Sequence, residues 1–125
     1  MTQLDGEFAA QFLDVALALE QIGDAQAMQG MLSMLEESLA RDVPRVAQLL
    51  EDGDVRAANR LLHGLKGFIP IFCVDSLCKH VTKVEEFSKT ADAVSVSQVY
   101  ADLMPELEQL QAEVVAYLND QGAAY

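Results

Sequence analysis

The run His63-Gly-Leu-Lys66-Gly67 combines the residue types in this chain best suited to chemistry. Imidazole is a nucleophile that titrates near neutral pH. At about 100° per residue, the helical positions within about 60° of His63 carry no apolar side chain except one proline. These positions are Arg56, Asn59, Arg60, Lys66, Gly67 and Pro70. The apolar residues Ala58, Leu61, Leu65, Ile69 and Phe72 cluster on the opposite side, so we expect an exposed imidazole.

The neighbours of His63 indicate what this imidazole does. Gly67 lies one turn later on the same face, where a mid-helix glycine costs about 1 kcal/mol relative to alanine. The missing side chain would let another protein bring a reactive group up to the ring. Lys66 supplies an ammonium group three residues from the histidine, and Arg60 supplies a second cation. An accessible imidazole with cations beside it suits a group that receives a phosphoryl moiety and hands it on.

With these residues the chain resembles the histidine-containing phosphotransfer (HPt) domains of multistep phosphorelays. Their pattern of histidine, two variable residues, Lys-Gly, a short apolar stretch and a further helix reads here as His63-Gly-Leu-Lys-Gly-Phe-Ile-Pro-Ile-Phe-Cys-Val-Asp-Ser-Leu77. The resemblance extends over about residues 12–118. The chain departs from the family at Phe68, Pro70 and Cys73, where family members commonly have small residues and a glycine.

The resemblance implies that His63 is a phosphoacceptor that takes a phosphoryl group from a phosphoaspartate of a response-regulator receiver domain and passes it to another receiver. Lys66 would screen the bound phosphoryl group, and Gly67 would leave room for the partner. A hybrid sensor histidine kinase is a further candidate partner. The chain has no magnesium cluster and no glycine-rich nucleotide loop of its own. We therefore expect a carrier without cofactor or metal, not an enzyme. The candidate partner-binding residues are Arg56, Asn59, Arg60, Phe68 and Pro70.

Composition and charge restrict the other classes of function. The chain has 125 residues, which suits a single domain spanning residues 1–125. Its net charge of −12 argues against nucleic acids and anionic membranes as partners. Six of its eight Lys and Arg residues nevertheless lie between residues 54 and 89, with only four acids. This locally basic region would steer in the acidic pocket that the resemblance implies for a receiver. Lys79, Lys83 and Lys89 can equally be ordinary solvated charges.

The periodicity predicts an all-α fold, an antiparallel four-helix bundle with an additional N-terminal helix laid across one end. Pro44 should kink the second helix, and Pro70 should end the third near Ile69. In the fourth helix Leu77, Val81, Val84 and Phe87 should face inward. The tail from Gly122 should fray. The predicted helices span about Asp5–Gln21, Ala25–Glu51, Val55–Ile69, Asp75 or Ser76 to Thr90, and Ser95 or Ser97 to Leu118.

No signal peptide and no apolar run of roughly 20 residues is present in this sequence, so we expect a cytoplasmic monomer. The acidic start and short tail favour a stand-alone protein. The main alternative is a helical module that binds a receiver or kinase without being phosphorylated. A metal- or haem-binding bundle is weaker, since Cys73, Cys78 and His80 do not follow a familiar zinc spacing. A hydrolase is weakest, because no nucleophile with a paired base is recognisable.

Overall fold

The computed structural model describes the backbone of residues 10–123 and the side chains of residues 10–120. Within that range it contains five α-helices, one short 3₁₀ helix at Ile69–Ile71 and no β-strand. This confirms the predicted all-α class. The α-helices are α1 Val15–Ile22, α2 Ala25–Glu51, α3 Val55–Phe68, α4 Asp75–Phe87 and α5 Ala93–Ala123.

An aspartate directly before the first residue caps four of the five α-helices. In each case the carboxylate accepts a hydrogen bond from the backbone N–H three residues later, which satisfies one of the free amides of the first turn. These aspartates are Asp14, Asp24, Asp54 and Asp92. Gly23 and Gly53 precede two of them with φ angles of 82° and 83°, a left-handed conformation that favours glycine. The Gly-Asp pairs therefore set where α1 and α2 end and where α2 and α3 begin.

The four longer helices pack around one core. Helix α2 contacts α3 and α5, and α4 also contacts α3 and α5, so the contacts close a ring. Helix α1 lies against α2 and the 3₁₀ helix. The fully buried side chains include Leu32, Leu35, Leu39 and Val46 of α2, Leu62 of α3, Leu77 and Val81 of α4, and Leu103, Leu107 and Leu110 of α5.

The helix predicted over about Asp5–Gln21 does not run unbroken through the described residues. Residues Asp5–Ala9 of the expected helix lie outside the described residues, and residues 10–14 are not helical. Their backbone groups bond elsewhere: the Asp14 N–H donates to Phe72 O over 2.7 Å, and the Val74 N–H donates to Phe12 O over 2.9 Å. This antiparallel bridge ties the segment to the connection between α3 and α4. Helix α1 therefore starts at Val15.

Several details of the helix bounds and faces were also wrong. Helix α4 ends at Phe87 instead of Thr90, and Phe87 is 41% exposed instead of facing the core. Helix α5 starts slightly earlier and runs to Ala123, past the predicted end at Leu118. In α3, Leu62 is fully buried while Leu61 is only partly buried. The core-facing side of α3 is thus rotated slightly from the predicted one.

Proline has different effects in the two helices that contain it and in the one that ends just before it. Helices α2 and α5 continue through Pro44 and Pro105, both of which are exposed. Helix α3 ends at Phe68 and gives way to the 3₁₀ helix that contains Pro70, close to the predicted position. None of the helices in residues 10–123 combines the length and the apolar character needed to cross a bilayer.

Candidate functional site

His63 lies on the outer side of α3. Its side chain is 66% exposed, whereas Ala58, Leu62 and Leu65 of the same helix are buried. The amphipathic pattern of α3 therefore directs the imidazole to solvent, as predicted. An incoming group can reach this ring without any rearrangement of the core.

Glu85 of α4 is the residue that faces the imidazole from the neighbouring helix. Its Oε2 lies 3.4 Å from Nδ1 of His63, and its side chain is completely buried. Because Nδ1 faces the carboxylate, the ring presents its other nitrogen, Nε2, away from Glu85. Sequence reasoning did not assign Glu85 a role.

A signal for Glu85 was nevertheless present in the sequence. Helix α4 has Leu77, Val81 and Val84 in its buried stripe, and Glu85 continues that stripe four residues after Val81. An acidic residue at a core-facing position is rarely buried unless it is paired. The pattern alone therefore marked Glu85 as an acid in need of a partner, although not which partner.

Two lysines bind the same carboxylate. The Nζ atom of Lys66 lies 2.8 Å from Oε1 of Glu85, and that of Lys89 lies 3.8 Å from the same oxygen. Lys66 is only 26% exposed, whereas Lys89 is 52% exposed. Lys66 and His63 thus face the same carboxylate, and the ammonium group of Lys66 neutralises Glu85.

Asn59 also faces Glu85 instead of standing free on the surface. Its Nδ2 donates to Glu85 Oε2 over 3.1 Å, to Ser88 Oγ over 2.8 Å and to Glu85 O over 3.2 Å. Ser88, itself buried, donates its hydroxyl to Glu85 O over 2.6 Å. No buried side-chain nitrogen or oxygen within residues 10–120 lacks a hydrogen-bond partner. The predicted partner-binding residue Asn59 is therefore committed to contacts inside the domain.

The cations and the amide keep Glu85 ionised despite its burial. Burial by itself opposes ionisation of this carboxyl and would raise its pKa. Hydrogen bonds from Lys66 and Asn59, together with the positive charges of Lys66 and Lys89, outweigh burial and lower the pKa below its ordinary value of 4.5. At neutral pH the imidazole therefore faces an ionised carboxylate. Such a group can accept a hydrogen bond but cannot donate one.

The glycines near His63 are not required by close packing against the rest of the described residues. Apart from the chain neighbours and the nearby backbone of α3, a Cβ atom added at Gly64 or at Gly67 would meet no atom within 4 Å. Both residues are exposed. The intrinsic cost of two glycines within α3 is thus not offset by a close internal contact among the described residues.

The other four predicted partner-binding residues fall into two groups. Arg56 and Arg60 are exposed on α3, and no ion pair within residues 10–120 involves either of them. Phe68 is partly buried, with its ring edge-to-face on Phe72 at a centroid distance of 5.1 Å. Pro70 is exposed at the end of the same region. The arginines are therefore available cations, whereas Phe68 also contributes to the core.

The residues weighed for zinc are used otherwise. Both cysteines are free thiols, and burial raises the pKa of the Cys73 thiol. The Nδ1 atom of His80 lies 2.8 Å from Oε1 of Glu106 on α5. Among the described residues no group of three or more His, Cys, Asp or Glu side chains is arranged to hold a metal ion.

The fold and the site define a helical domain that carries an exposed histidine beside a buried acid. In the family comparison, the Hpt domain model matches residues 30–118. The chain belongs to the Hpt domain family. The match begins at residue 30, so it does not include residues 12–29 of the resemblance noted from the sequence. No curated protein and no solved structure matched the chain in the two other comparisons.

Membership in this family defines the general activity. Hpt domains are phosphocarrier modules of two-component phosphorelays, carry the phosphoryl group as phosphohistidine, and interact with receiver domains. The matched residues 30–118 include α3 with His63 and α4 with Glu85.

Proposed function

We propose that His63 is the phosphoacceptor of this domain and that Nε2 is the atom that attacks. The observation that carries the proposal is the contact of Nδ1 with the buried carboxylate of Glu85. The 3.4 Å separation of Nδ1 from Oε2 of Glu85 is an ion-pair contact, and a carboxylate favours a proton on the ring nitrogen that it faces. With the proton on Nδ1, the lone pair of Nε2 is free and points away from Glu85.

Each transfer step forms one bond to phosphorus and breaks another, and it uses only His63 and a receiver aspartate. The lone pair of Nε2 attacks the phosphorus of a receiver phosphoaspartate, the N–P bond forms, and the aspartate carboxylate leaves with the electron pair of the P–O bond. The ring keeps its Nδ1 proton and becomes positively charged, and Glu85 stabilises that charge. In the second transfer an aspartate oxygen of the acceptor receiver attacks the phosphorus, and the N–P electron pair returns to Nε2.

Other residues of the site have supporting roles in this proposal. Lys66 exchanges part of its contact with Glu85 for the phosphoryl oxygens, while Gly67 leaves room for the receiver. Arg56 and Arg60 attract the acidic pocket of the receiver, and Phe68 and Pro70 contribute to the docking surface. The divalent metal that phosphoryl transfer usually requires comes with the receiver.

The remaining expectations form part of the same proposal. The protein exchanges phosphoryl groups with at least two receivers, and a hybrid sensor histidine kinase is a candidate source. We propose a single domain over residues 1–125 that works as a cytoplasmic monomer. The short connections between consecutive helices and the closed ring of contacts support an antiparallel arrangement of α2 to α5.

The test is phosphorylation of the protein by a phosphorylated receiver. Wild-type protein should acquire an acid-labile, base-stable label, and His63→Gln should acquire none while its circular dichroism and melting temperature stay unchanged. His80→Gln is the matched control, because His80 is the second of the two histidines in the chain and should be dispensable for labelling. Label on His63→Gln would refute the assignment.

The same experiment separates the main alternative, a helical module that binds a receiver without being phosphorylated. Binding of the receiver without transfer of label to the wild-type protein would establish that alternative. Lys66→Ala should slow the transfer or shorten the lifetime of the phosphohistidine. An unaltered rate and lifetime would exclude the electrostatic role of Lys66.

A further inference from the structure

We propose that Asn59 and Ser88 are positioning residues that hold the Glu85 carboxylate toward His63 and thereby select Nε2 as the reactive nitrogen. This inference rests on the proposed function of His63. The sequence left docking or orientation open for Asn59, and this inference assigns it orientation.

The first step of the argument is the division of the carboxylate between two sets of donors. Oε1 of Glu85 accepts from Lys66 over 2.8 Å and has Lys89 at 3.8 Å, so both ammonium groups draw on one oxygen. Oε2 faces His63 and accepts from Asn59 over 3.1 Å. Among the described residues, Asn59 is therefore the side chain whose hydrogen bond to Oε2 opposes rotation of the carboxylate toward the lysines.

The second step is how Asn59 is itself held. Its amide nitrogen lies within hydrogen-bond distance of Ser88 Oγ, and Ser88 donates to the backbone oxygen of Glu85. Ser88 is 3% exposed, so water does not compete freely for these bonds. Asn59, Ser88 and Glu85 thus form one closed set of contacts that links α3 to the end of α4.

The third step concerns the availability of Asn59 for a partner. An asparagine side chain has two N–H donors. Three acceptors lie within 3.2 Å of its nitrogen, namely Ser88 Oγ and two oxygens of Glu85. Both donors are consequently engaged inside the domain, and a receiver could use them only by breaking these bonds.

The consequence for His63 follows from the tautomers of imidazole. Its side chain is 66% exposed, so water alone would not favour a proton on Nδ1. The carboxylate facing Nδ1 supplies that preference. Loss of the Asn59 donor lets Glu85 turn toward Lys66 and Lys89, and the ring then exchanges freely between its two neutral forms. Some of the rings would then present a protonated, unreactive Nε2 to the receiver.

The experiment compares Asn59→Leu with wild type by ¹⁵N NMR of the histidine ring in the unphosphorylated protein. We expect the Nδ1 and Nε2 signals of the neutral His63 ring to move toward each other in Asn59→Leu, because the proton then distributes over both nitrogens. Gln98→Leu is the matched control. It removes an exposed side-chain amide of α5 that does not contact Glu85, and its ring signals should match wild type.

Transfer rates measured with a phosphorylated receiver complete the test. Asn59→Leu should slow transfer at neutral pH severalfold, because only a fraction of the rings then presents a free Nε2 lone pair. Ser88→Ala, a milder change, should shift the ring signals in the same direction and serves if Asn59→Leu does not fold by circular dichroism. Folded variants whose ring signals equal those of wild type would overturn the inference, even if transfer were slower.

The two readouts keep this inference separate from the proposed function. The NMR measurement needs neither a receiver nor phosphorylation. If wild-type protein were not labelled on His63, the proposed function would fail while the effect of Asn59 on the ring could still be measured. If labelling succeeded but the ring signals did not respond, the role of Asn59 and Ser88 would fail alone.

Discussion

Replacing Glu85 with glutamine tests the buried carboxylate directly, because the amide has nearly the same size and shape. The change removes one negative charge from a group whose side chain is completely buried beside three basic residues, His63, Lys66 and Lys89. It leaves the surrounding core of α3 and α4 intact. Any loss of stability therefore reports on charge and on the hydrogen bonds that the two carboxylate oxygens accept, not on packing.

The size of the effect can be bounded from exposure. Removing one partner of a fully buried ion pair costs about 3–5 kcal/mol, whereas an exposed pair contributes about 0–1 kcal/mol. Here the acid is buried, but Lys66 is 26% and Lys89 52% exposed, so the orphaned cations regain water. We expect the free energy of unfolding to fall by about 1–3 kcal/mol at pH 7.

The stabilisation that the charge of Glu85 provides should depend on pH. The pKa of Glu85 is lowered in the folded protein, because hydrogen bonds from Lys66 and Asn59 outweigh the opposing effect of burial. Its charge therefore stabilises the fold fully above the ordinary value of 4.5, and that contribution is lost as the pH falls through the lowered pKa. The difference between wild type and Glu85→Gln should be largest at neutral pH and shrink in acid.

Urea unfolding followed by circular dichroism, at pH 7 and at several values below pH 4.5, measures this difference. Glu86→Gln is the matched control, since Glu86 is the exposed neighbour of Glu85 and forms no ion pair within the described residues. Its stability should stay within about 0.5 kcal/mol of wild type. A Glu85→Gln variant as stable as wild type at pH 7, or a difference that did not change with pH, would refute the electrostatic reasoning.

Three further predictions concern the surface, the N-terminal segment and the core. Gly67→Arg should weaken receiver binding at least about tenfold by titration calorimetry. Gly67→Ala should weaken binding less and gain about 1 kcal/mol of stability; equal binding by both would dismiss the clearance role. Glu113→Gln should speed hydrogen exchange of the backbone amides of residues 11–13, which donate hydrogen bonds to this carboxylate. It should also lower the free energy of unfolding by about 1–2 kcal/mol. Unchanged exchange would show that the segment is held otherwise. Tyr100→Phe removes the hydroxyl that donates to Val43 O over 2.8 Å and should lower the free energy of unfolding by about 0.5–1.5 kcal/mol in urea. A neutral change would mean that this bond adds nothing to core packing.

The helices and the exposed imidazole could be predicted because they depend on short-range patterns. The Gly-Asp pairs at residues 23–24 and 53–54 mark helix boundaries through local backbone and capping chemistry. The position of His63 opposite the buried side of α3 follows from the 3.6-residue period. The predicted bounds of α2 agree with the structure at both ends.

The N-terminal segment shows where such patterns fail. Its apolar spacing suits a helix, yet the backbone amides of residues 11–13 bond to Glu113, about 100 positions along the chain. Burial of Glu113 opposes its ionisation, but bonds from Gln109 and from these amides lower its pKa, so a charged acceptor competes with helix formation. That competition arises only after α5 has packed beside the segment.

The amino-acid sequence alone determined that His63 would stand on an exposed helical face with Lys66 and Gly67 close by. Residues about one turn apart on a helix lie near each other whatever the rest of the fold does. Only the tertiary structure decided that Glu85 faces Nδ1 of His63 across the contact of α3 with α4, and that Asn59 turns inward to the same carboxylate. The two helices are joined through a 3₁₀ helix and an extended connection, whose geometry sets their relative rotation. No period within either helix encodes that rotation, so the partner of the imidazole depends on packing.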